Sequence, residues 1–132
     1  MSDRILPFVI QRANAVTGWT PPAASSSAEL LRLFSTQVGS TTCIEISGIV
    51  DIATEAKLRA HLGAQIERGA RDLLLDMSLV GFCDAAVARV LASTDARLRS
   101  LRGRVRVVDC SHGVGRLLGL TDLEHLLEVP PP

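Results

Sequence analysis

The sequence predicts an α/β fold whose sheet is mixed but mostly parallel, with four to five strands, an opening β-hairpin and three to four helices. Short aliphatic runs alternate along the chain with longer segments whose apolar residues recur every three or four positions. This alternation is typical of parallel strands joined by right-handed crossovers. Aromatic residues make up only 3% of the 132 residues, so the core is expected to be aliphatic.

The regular pattern begins with the hairpin and a first helix. The apolar runs 30–34 and 43–46 lie on either side of a turn at Gly39-Ser40, as expected of two antiparallel strands. Thr54 is a good N-cap, and Gly69 marks the end of the helix that follows it. One face of this helix carries the apolar residues Leu58, Leu62 and Ile66.

A buried strand and a second helix come next. The continuous apolar run 73–75 is typical of a strand that is covered on both faces. Asp84 is the predicted N-cap of the second helix, and Gly103 is its predicted end. The apolar stripe of this helix consists of Val87, Val90, Leu91, Leu98 and Leu101.

The last part of the pattern repeats this order. Residues 105–108 are rich in valine and predict another buried strand. Ser111 is the predicted N-cap of a short third helix that stops at Gly119. Residues 123–129 form a last short element. The predicted order is therefore β-β-α-β-α-β-α.

The chain divides into three parts of unequal length. Residues 28–129 are the predicted folded domain, residues 1–27 an N-terminal arm and linker, and residues 130–132 a tail. Residues 20–27 are rich in proline and serine and continue neither a helix nor a central strand. The arm is either loosely ordered or packed on the domain through its apolar residues Ile5, Phe8, Val9 and Ile10.

Composition argues against several classes of protein. Fourteen basic and fourteen acidic residues cancel, whereas nucleic-acid binders usually carry a basic excess, so no nucleic-acid partner is predicted. The arginines between 97 and 106 are interpreted as a solvated face rather than an anion-binding patch. No apolar run reaches the ~20 residues that cross a bilayer, and the start lacks the pattern of a signal peptide. A cytoplasmic protein without membrane insertion is predicted.

The residues that usually perform catalysis are poorly represented. The three histidines, His61, His112 and His125, have no carboxylate or cysteine partner at triad or metal-ligand spacing. The pair Gly113 and Gly115 resembles part of a phosphate-binding turn, but a tight turn explains it better. No enzyme activity, metal or cofactor is predicted.

Three aspartates follow apolar segments. Asp51, Asp76 and Asp84 each occur where a predicted strand gives way to a loop or helix. The carboxyl ends of parallel strands share one edge of a sheet, where binding sites usually form. Each aspartate could equally cap a helix or turn. Together they predict one acidic surface at that edge.

Several motifs resemble those of the STAS family of anti-sigma factor antagonists. The segment 48–51 is similar to the early Gly-Glu-Leu-Asp of the family, and 75–84 is similar to its strand, Asp-Leu-Ser and Phe-x-Asp. The stretch 117–123 resembles its late Leu-x-Leu-Thr-Gly-Leu. The resemblance extends from about residue 29 to 129, in the right order and spacing.

The chain departs from the family at its regulatory serine. Family members carry Ser-Ser-Gly after the aspartate that corresponds to Asp84, whereas this chain has Ala85, Ala86 and Val87. The resemblance implies that Ala85 occupies the position where an anti-sigma factor, itself a serine kinase, places phosphate. Because alanine has no hydroxyl group, this position cannot be phosphorylated.

The resemblance implies an interaction module rather than an enzyme. The expected partner is an anti-sigma factor of the serine-kinase type, whose sequestration would release a sigma factor. Two alternatives are an accessory subunit of a lipid-transport ABC system and a scaffold in stress signalling. Nucleotide binding is permitted by the resemblance but weakly supported. The residues predicted to bind the partner are Asp51, Thr54, Asp84, Ala85, Ala86, Val87 and Arg89.

Two of the three cysteines suggest a second form of control. Cys83 follows the third predicted strand and Cys110 the fourth, so neighbouring strands would bring both thiols to one edge. A disulfide requires Cα atoms within about 7 Å. Ordinary half-buried thiols are the competing interpretation, because cytosolic thiols are mostly reduced.

Overall fold

The structure is a computed structural model in which residues 30–128 are described. The predicted boundaries at 27 and 129 and the alternatives for the arm lie outside these residues. Four strands and three helices follow one another, and a short 3-10 turn, Glu124–Leu126, comes last. The strands and helices are β1 (Leu31–Val38), β2 (Thr41–Val50), α1 (Glu55–Glu67), β3 (Asp72–Cys83), α2 (Ala85–Ser100), β4 (Arg104–Cys110) and α3 (His112–Leu120).

The sheet has the strand order β1-β2-β3-β4. β1 and β2 form the antiparallel hairpin, and its turn contains Gly39 at a φ of 62°. The β2–β3 and β3–β4 pairs are parallel. The predicted fold class is therefore confirmed, with four strands in the sheet of residues 30–128.

The helices bury their apolar faces against one side of the sheet. Side chains from α1, α2 and α3 join those of all four strands in a single core cluster. Among residues 30–128, no aromatic residue belongs to the fully buried set, in agreement with the aliphatic core that composition predicts. The largest of these fully buried side chains include Leu58, Leu62, Leu75, Leu91, Leu98 and Leu118.

β3 is much longer than its apolar run predicts. The predicted strand covered 73–75, whereas β3 extends from Asp72 to Cys83. Its second half contains Ser78 and Gly81 and pairs with β2 through two register shifts. A local apolar pattern cannot predict this half, because pairing with β2 rather than burial holds it extended.

Two helix boundaries differ slightly from their predictions. α2 ends at Ser100, before Gly103, because Arg102 takes the left-handed conformation with a φ of 62°. Gly103 is needed for another reason: a Cβ there would lie 2.3 Å from the carbonyl oxygen of Arg71. α3 continues one residue past Gly119.

Leu127 and Glu128 lie against the outer edge of β4. Leu127 forms a parallel bridge with Val107, and the Glu128 amide donates to the Val107 carbonyl at 2.8 Å. The Arg106 guanidinium also pairs with the Glu128 carboxylate at 2.7 Å. Within residues 30–128, no helix has the length and apolarity that a membrane span requires.

Candidate functional site

The ends of β2 and β3 meet at one edge of the sheet. Val50 pairs with Cys83, and the Asp84 amide donates to the Val50 carbonyl at 3.2 Å. Asp51 and Asp84 therefore leave adjacent strands side by side. Asp76 lies elsewhere: it is in the middle of β3 and only 2% exposed. The prediction of an acidic surface that includes Asp76 is wrong, since β3 continues for seven residues beyond it.

Asp51 organises the loop that leads into α1. Its carboxylate accepts hydrogen bonds from the amides of Ala53 at 2.9 Å and Thr54 at 3.0 Å. The Thr54 hydroxyl accepts from the Asp51 amide and donates to the Ile49 carbonyl, both at 2.9 Å. Thr54 stands at the N-cap position, but its side chain makes no capping bond and is fully buried. Thr54 therefore supports the loop from beneath, and its predicted contact with a partner needs correction.

Asp84 caps α2 as the sequence predicts. Its backbone is extended, and its carboxylate accepts from the Ala86 amide at 2.8 Å. This bond satisfies one of the amides that the first helical turn leaves unpaired. Ala85 is exposed, whereas Ala86 and Val87 are both 0% exposed. Ala86 and Val87 thus belong to the interior, and only Ala85 of the three can touch a partner through its side chain.

An ionic cluster joins the first turns of α1 and α2. The Glu55 carboxylate pairs with Arg89 at 2.8 Å and with Arg59 at 2.7 Å. Hydrogen bonds from Arg89 and then Arg59 lower the pKa of Glu55 to about 2. Arg59 also donates to the Ser93 hydroxyl at 3.1 Å. Sequence reasoning named Arg89 but missed Glu55 and Arg59, although their i, i+4 spacing was available.

Large apolar side chains are exposed beside this edge. Ile52, in the loop after β2, is 79% exposed, and Phe82, the penultimate residue of β3, is 56% exposed. Neither was singled out as a contact residue from the sequence. The sequence offered one indication of exposure at Ile52, because this large apolar residue follows Asp51 directly in a predicted loop. We define the edge surface as Asp51, Ile52, Phe82, Ala85 and Arg89.

Cys83 and Cys110 are free thiols in this structure. Cys110 pairs in register with Met77, six positions before Cys83, so the two strand ends are not level. Burial raises the pKa of both thiols, and the charges of Asp84 and then Cys110 raise that of Cys83 further. Raised pKa values make these thiols poor nucleophiles at neutral pH.

The start of α3 packs on both thiols. A Cβ at Gly113 would lie 3.6 Å from the Cys83 sulfur, and one at Gly115 would lie 3.4 Å from the Cys110 sulfur. Both glycines are within α3, so the prediction of a tight turn is wrong. Ser111 occupies the N-cap position without a capping side-chain bond. The glycines leave room for the sulfur atoms.

The histidines do not form a triad. His61 Nε2 lies 2.6 Å from the Ser35 hydroxyl. Burial, followed by the cations Arg68 and Lys57, lowers the pKa of His61. In a catalytic triad the histidine is hydrogen-bonded to a carboxylate that orients it, whereas the partner of His61 is a hydroxyl group. His125 Nε2 lies 3.3 Å from the Asp95 carboxylate. Within residues 30–128, no group of three His, Cys, Asp or Glu side chains is arranged to hold a metal ion.

The arginines after position 96 are mostly paired with carboxylates. Arg106 and Arg104 both contact Asp72, at 3.0 and 3.3 Å. Arg99 contacts Asp95 at 3.2 Å. The three arginines and Asp95 line a surface cleft of about 430 Å³ between α2, β4 and the 3-10 turn. Because its cations are neutralised in place, the cleft has little capacity to attract an anion.

Comparison with known proteins identifies the family. The family model described as "Mlab, STAS domain" matches residues 34–128. The chain belongs to the STAS domain family. The resemblance found in the sequence motifs is thus confirmed over nearly the whole of the described fold.

Relatives within the family are named as anti-sigma factor antagonists. BtrV of Bordetella bronchiseptica, a protein so named, is 30% identical over 60 residues, which are 46% of this chain. The match spans about half (52%) of the length of BtrV.

Solved structures share the fold. An anti-sigma factor antagonist from Mycobacterium paratuberculosis superposes with a TM-score of 0.68 at 22% identity, over 77% of this chain and 86% of that chain. Unphosphorylated SpoIIAA, another anti-sigma factor antagonist, gives 0.67 at 18% identity, over 76% and 89%. SpoIIAA from Bacillus has also been solved in a phosphorylated form.

Proposed function

We propose that this STAS protein is a non-enzymatic antagonist of an anti-sigma factor, which it binds through the edge surface. The observation that carries the proposal is an exposed alanine, Ala85, directly after the capping aspartate and one helical turn before Arg89, which is paired with Glu55. Exposed apolar side chains with a polar rim are typical of protein interfaces. The named relatives support the choice of partner.

Each residue of the edge surface has a distinct role in this proposal. Ile52 and Phe82 supply apolar contact area, and Ala85 keeps the start of α2 open for close approach. Arg89 is held by Glu55, so it enters the interface at little cost in side-chain entropy. Asp51 acts mainly through the backbone amides that it holds. Asp84, which lies next to the edge surface, acts in the same way by capping α2.

The proposal includes constitutive binding. A serine after Asp84 would place its hydroxyl at the start of α2, where free amides and the helix dipole favour a phosphate. Ala85 offers no such group, so phosphorylation cannot end the complex at this position. The family likeness motivates this assignment of position 85. Incubation with a cognate kinase and ATP should leave the mass of the protein unchanged. A phosphate group at Ser78, Ser93 or Thr94 would contradict the proposal of constitutive binding.

The decisive experiment is capture of the partner, followed by binding measurements with variants. The full chain serves as bait in a lysate of the native host, and the expected prey is an anti-sigma factor. An ABC-transporter ATPase, or only further STAS chains, as prey would overturn the proposal and favour one of the two alternatives. Calorimetry with ATP and GTP is expected to show no heat.

Two matched variants test the surface. Ala85→Asp places a charge in the proposed interface, while Ala92→Asp places one on an exposed position further along α2. Ala85→Asp should weaken binding about tenfold or more, because a charge is desolvated without a partner. Ala92→Asp should leave affinity unchanged. Equal affinities of the two variants would exclude the edge surface from the interface.

A further inference from the structure

The helices α1 and α2 lie side by side, and polar side chains form a seam between them on the protein surface. Each helix follows a strand of the parallel β2–β3 pair, so the two helices point in the same direction. Side chains four residues apart on each helix meet across the seam. The seam consists of Glu55, Arg59 and Glu67 from α1 and Arg89, Ser93 and Arg97 from α2.

The end of the seam that adjoins the edge surface has its charges paired. Arg89 contacts the Glu55 carboxylate at 2.8 Å, and Arg59 contacts it at 2.7 Å. Hydrogen bonding to Glu55 raises the pKa of Arg89, and the charge of Asp84 raises it further. This end therefore has little capacity for an additional anion.

Arg97, at the other end of the seam, has donors that are not used. It lies 3.9 Å from the Glu67 carboxylate, which is too long for a hydrogen bond, and the side chains are 45% and 75% exposed. An exposed pair of this kind contributes little. One Arg97 nitrogen lies 3.5 Å from the position that a Cβ of Gly63 would occupy, so the guanidinium rests on α1. Among residues 30–128, this guanidinium makes no hydrogen bond.

The Ser93 hydroxyl lies between the two arginines of this end. It accepts a hydrogen bond from Nη1 of Arg59 at 3.1 Å, and Arg97 follows one helical turn later in α2. Among the described residues, no group accepts the hydrogen of this hydroxyl. Arg59 is held in place by Glu55 as well as by Ser93. We call Arg59, Ser93 and Arg97 the distal end of the seam.

The donors of the distal end match one carboxylate. A carboxylate has two oxygen atoms with about four lone-pair sites, and guanidinium groups bind it in a bidentate manner. A carboxylate between Arg59 and Arg97 would accept from both and from the Ser93 hydroxyl. The seam as a whole has three arginines and two glutamates, so one more negative charge would balance it. The distal end therefore favours an acidic side chain over a basic one.

We propose that the distal end of the seam binds an aspartate or glutamate side chain of the partner protein. Because the seam begins at Arg89 of the edge surface, this site rests on the proposed function and extends its interface along α2. Ser93 is eight residues after Ala85, which is about 12 Å along the helix. The partner thus contacts the edge surface and places a carboxylate about two helical turns further along α2.

A titration without the partner tests the site itself in the full chain. A short glutamate peptide is added to the isotope-labelled protein, and NMR follows the backbone amides and the arginine Nε–H signals. The signals of Arg59, Ser93 and Arg97 should shift and saturate, and Arg97→Gln should remove most of this response. Arg99, which contacts Asp95 instead of the seam, should respond less. Equal shifts at Arg99, or none at the distal end, would overturn the inference.

Two matched variants test the site in the complex with the captured anti-sigma factor. Arg97→Gln and Arg99→Gln each remove one positive charge from the last turn of α2. At low salt, Arg97→Gln should slow association about threefold or more and should reduce the dependence of the rate on salt. Arg99→Gln should change neither. Equal effects of the two variants would point to net charge alone and would overturn the inference.

The edge-surface variant separates this inference from the proposed function. If Ala85→Asp weakens binding and Arg97→Gln does not, the edge surface stands and the carboxylate site is wrong. If neither variant changes the affinity, both are wrong. Ser93→Ala removes the hydroxyl without changing the charge, and it should also weaken binding. Thermal denaturation should give Arg97→Gln the Tm of wild type, because this guanidinium makes no hydrogen bond among residues 30–128.

Discussion

The bond from Asp84 to the Ala86 amide gives a quantitative prediction about α2. Asp84→Ala removes the capping acceptor at 2.8 Å and leaves that amide without its partner. Loss of an N-cap costs about 0.5–2 kcal/mol, typically ~1. The cost should fall on the whole domain, since α2 buries seven residues in the core. For a domain of this size, ~1 kcal/mol corresponds to a fall in Tm of about 4–8 °C.

The matched control is Asp84→Asn, which keeps the acceptor and removes the charge. Asparagine caps nearly as well as aspartate, so the variant should retain most of the free energy of unfolding. It should lose only the interaction of the charge with the helix dipole, about 0.3–1 kcal/mol. Urea denaturation of the three full-length proteins measures the free energies of unfolding. An alanine variant as stable as wild type, or an asparagine variant as unstable as alanine, would refute the capping argument.

The same pair of variants has an internal check. The Asp84 charge contributes, after burial, to the raised pKa of the Cys83 thiol. Both substitutions remove that charge, so both should lower the Cys83 pKa relative to wild type. Titration of thiol reactivity against pH measures it. The stability of the two variants should therefore differ while their Cys83 pKa values agree.

Three further predictions concern the fold. Gly48→Ala should cost at least about 2 kcal/mol, because the residue has a φ of 102° and its Cβ would meet the carbonyl before β1; Gly39→Asn is the control, since its φ of 62° is tolerated by asparagine and nothing lies within 4 Å. Glu55, with a pKa lowered to about 2, should add stability above pH 4.5 that is lost as pH falls towards 2; Glu55→Gln should remove this dependence in denaturation curves, and an unchanged curve would contradict it. Leu91→Ala should cost about 2–5 kcal/mol, whereas Leu120→Ala, at a position 73% exposed, should leave the urea midpoint unchanged.

Much of the fold could be predicted because its signals are local. Helix periodicity at Leu58, Leu62 and Ile66, the capping aspartate of α2 and the glycine turn of the hairpin each determine structure within a few residues. The length of β3 could not be predicted in this way. Its second half owes its extended form to pairing with β2, which is a contact between distant parts of the chain.

The site was predicted less completely for the same reason. The edge that joins Asp51 to Asp84 followed from parallel strand order. The sequence did not predict the burial of Thr54, Ala86 and Val87. The start of a helix presents some side chains to the core and others to solvent, and the sequence alone does not determine which way the helix is rotated. The link from Glu55 to Arg89 depends on how α1 and α2 pack. Asp76 was predicted to follow the end of β3, but it lies within the strand, because β3 is longer than its apolar run predicts.

The bridge between Leu127 and Val107 bears on self-association. An unpaired strand edge is a template on which another chain can add a strand. The C-terminal residues occupy part of the outer edge of β4 through this bridge and the bond from the Glu128 amide. A chain shortened to end at Thr121 would uncover Val107 and leave Arg106 with one carboxylate in place of two. Such a chain should form oligomers through β4, because Leu127 and Glu128 would no longer block its edge.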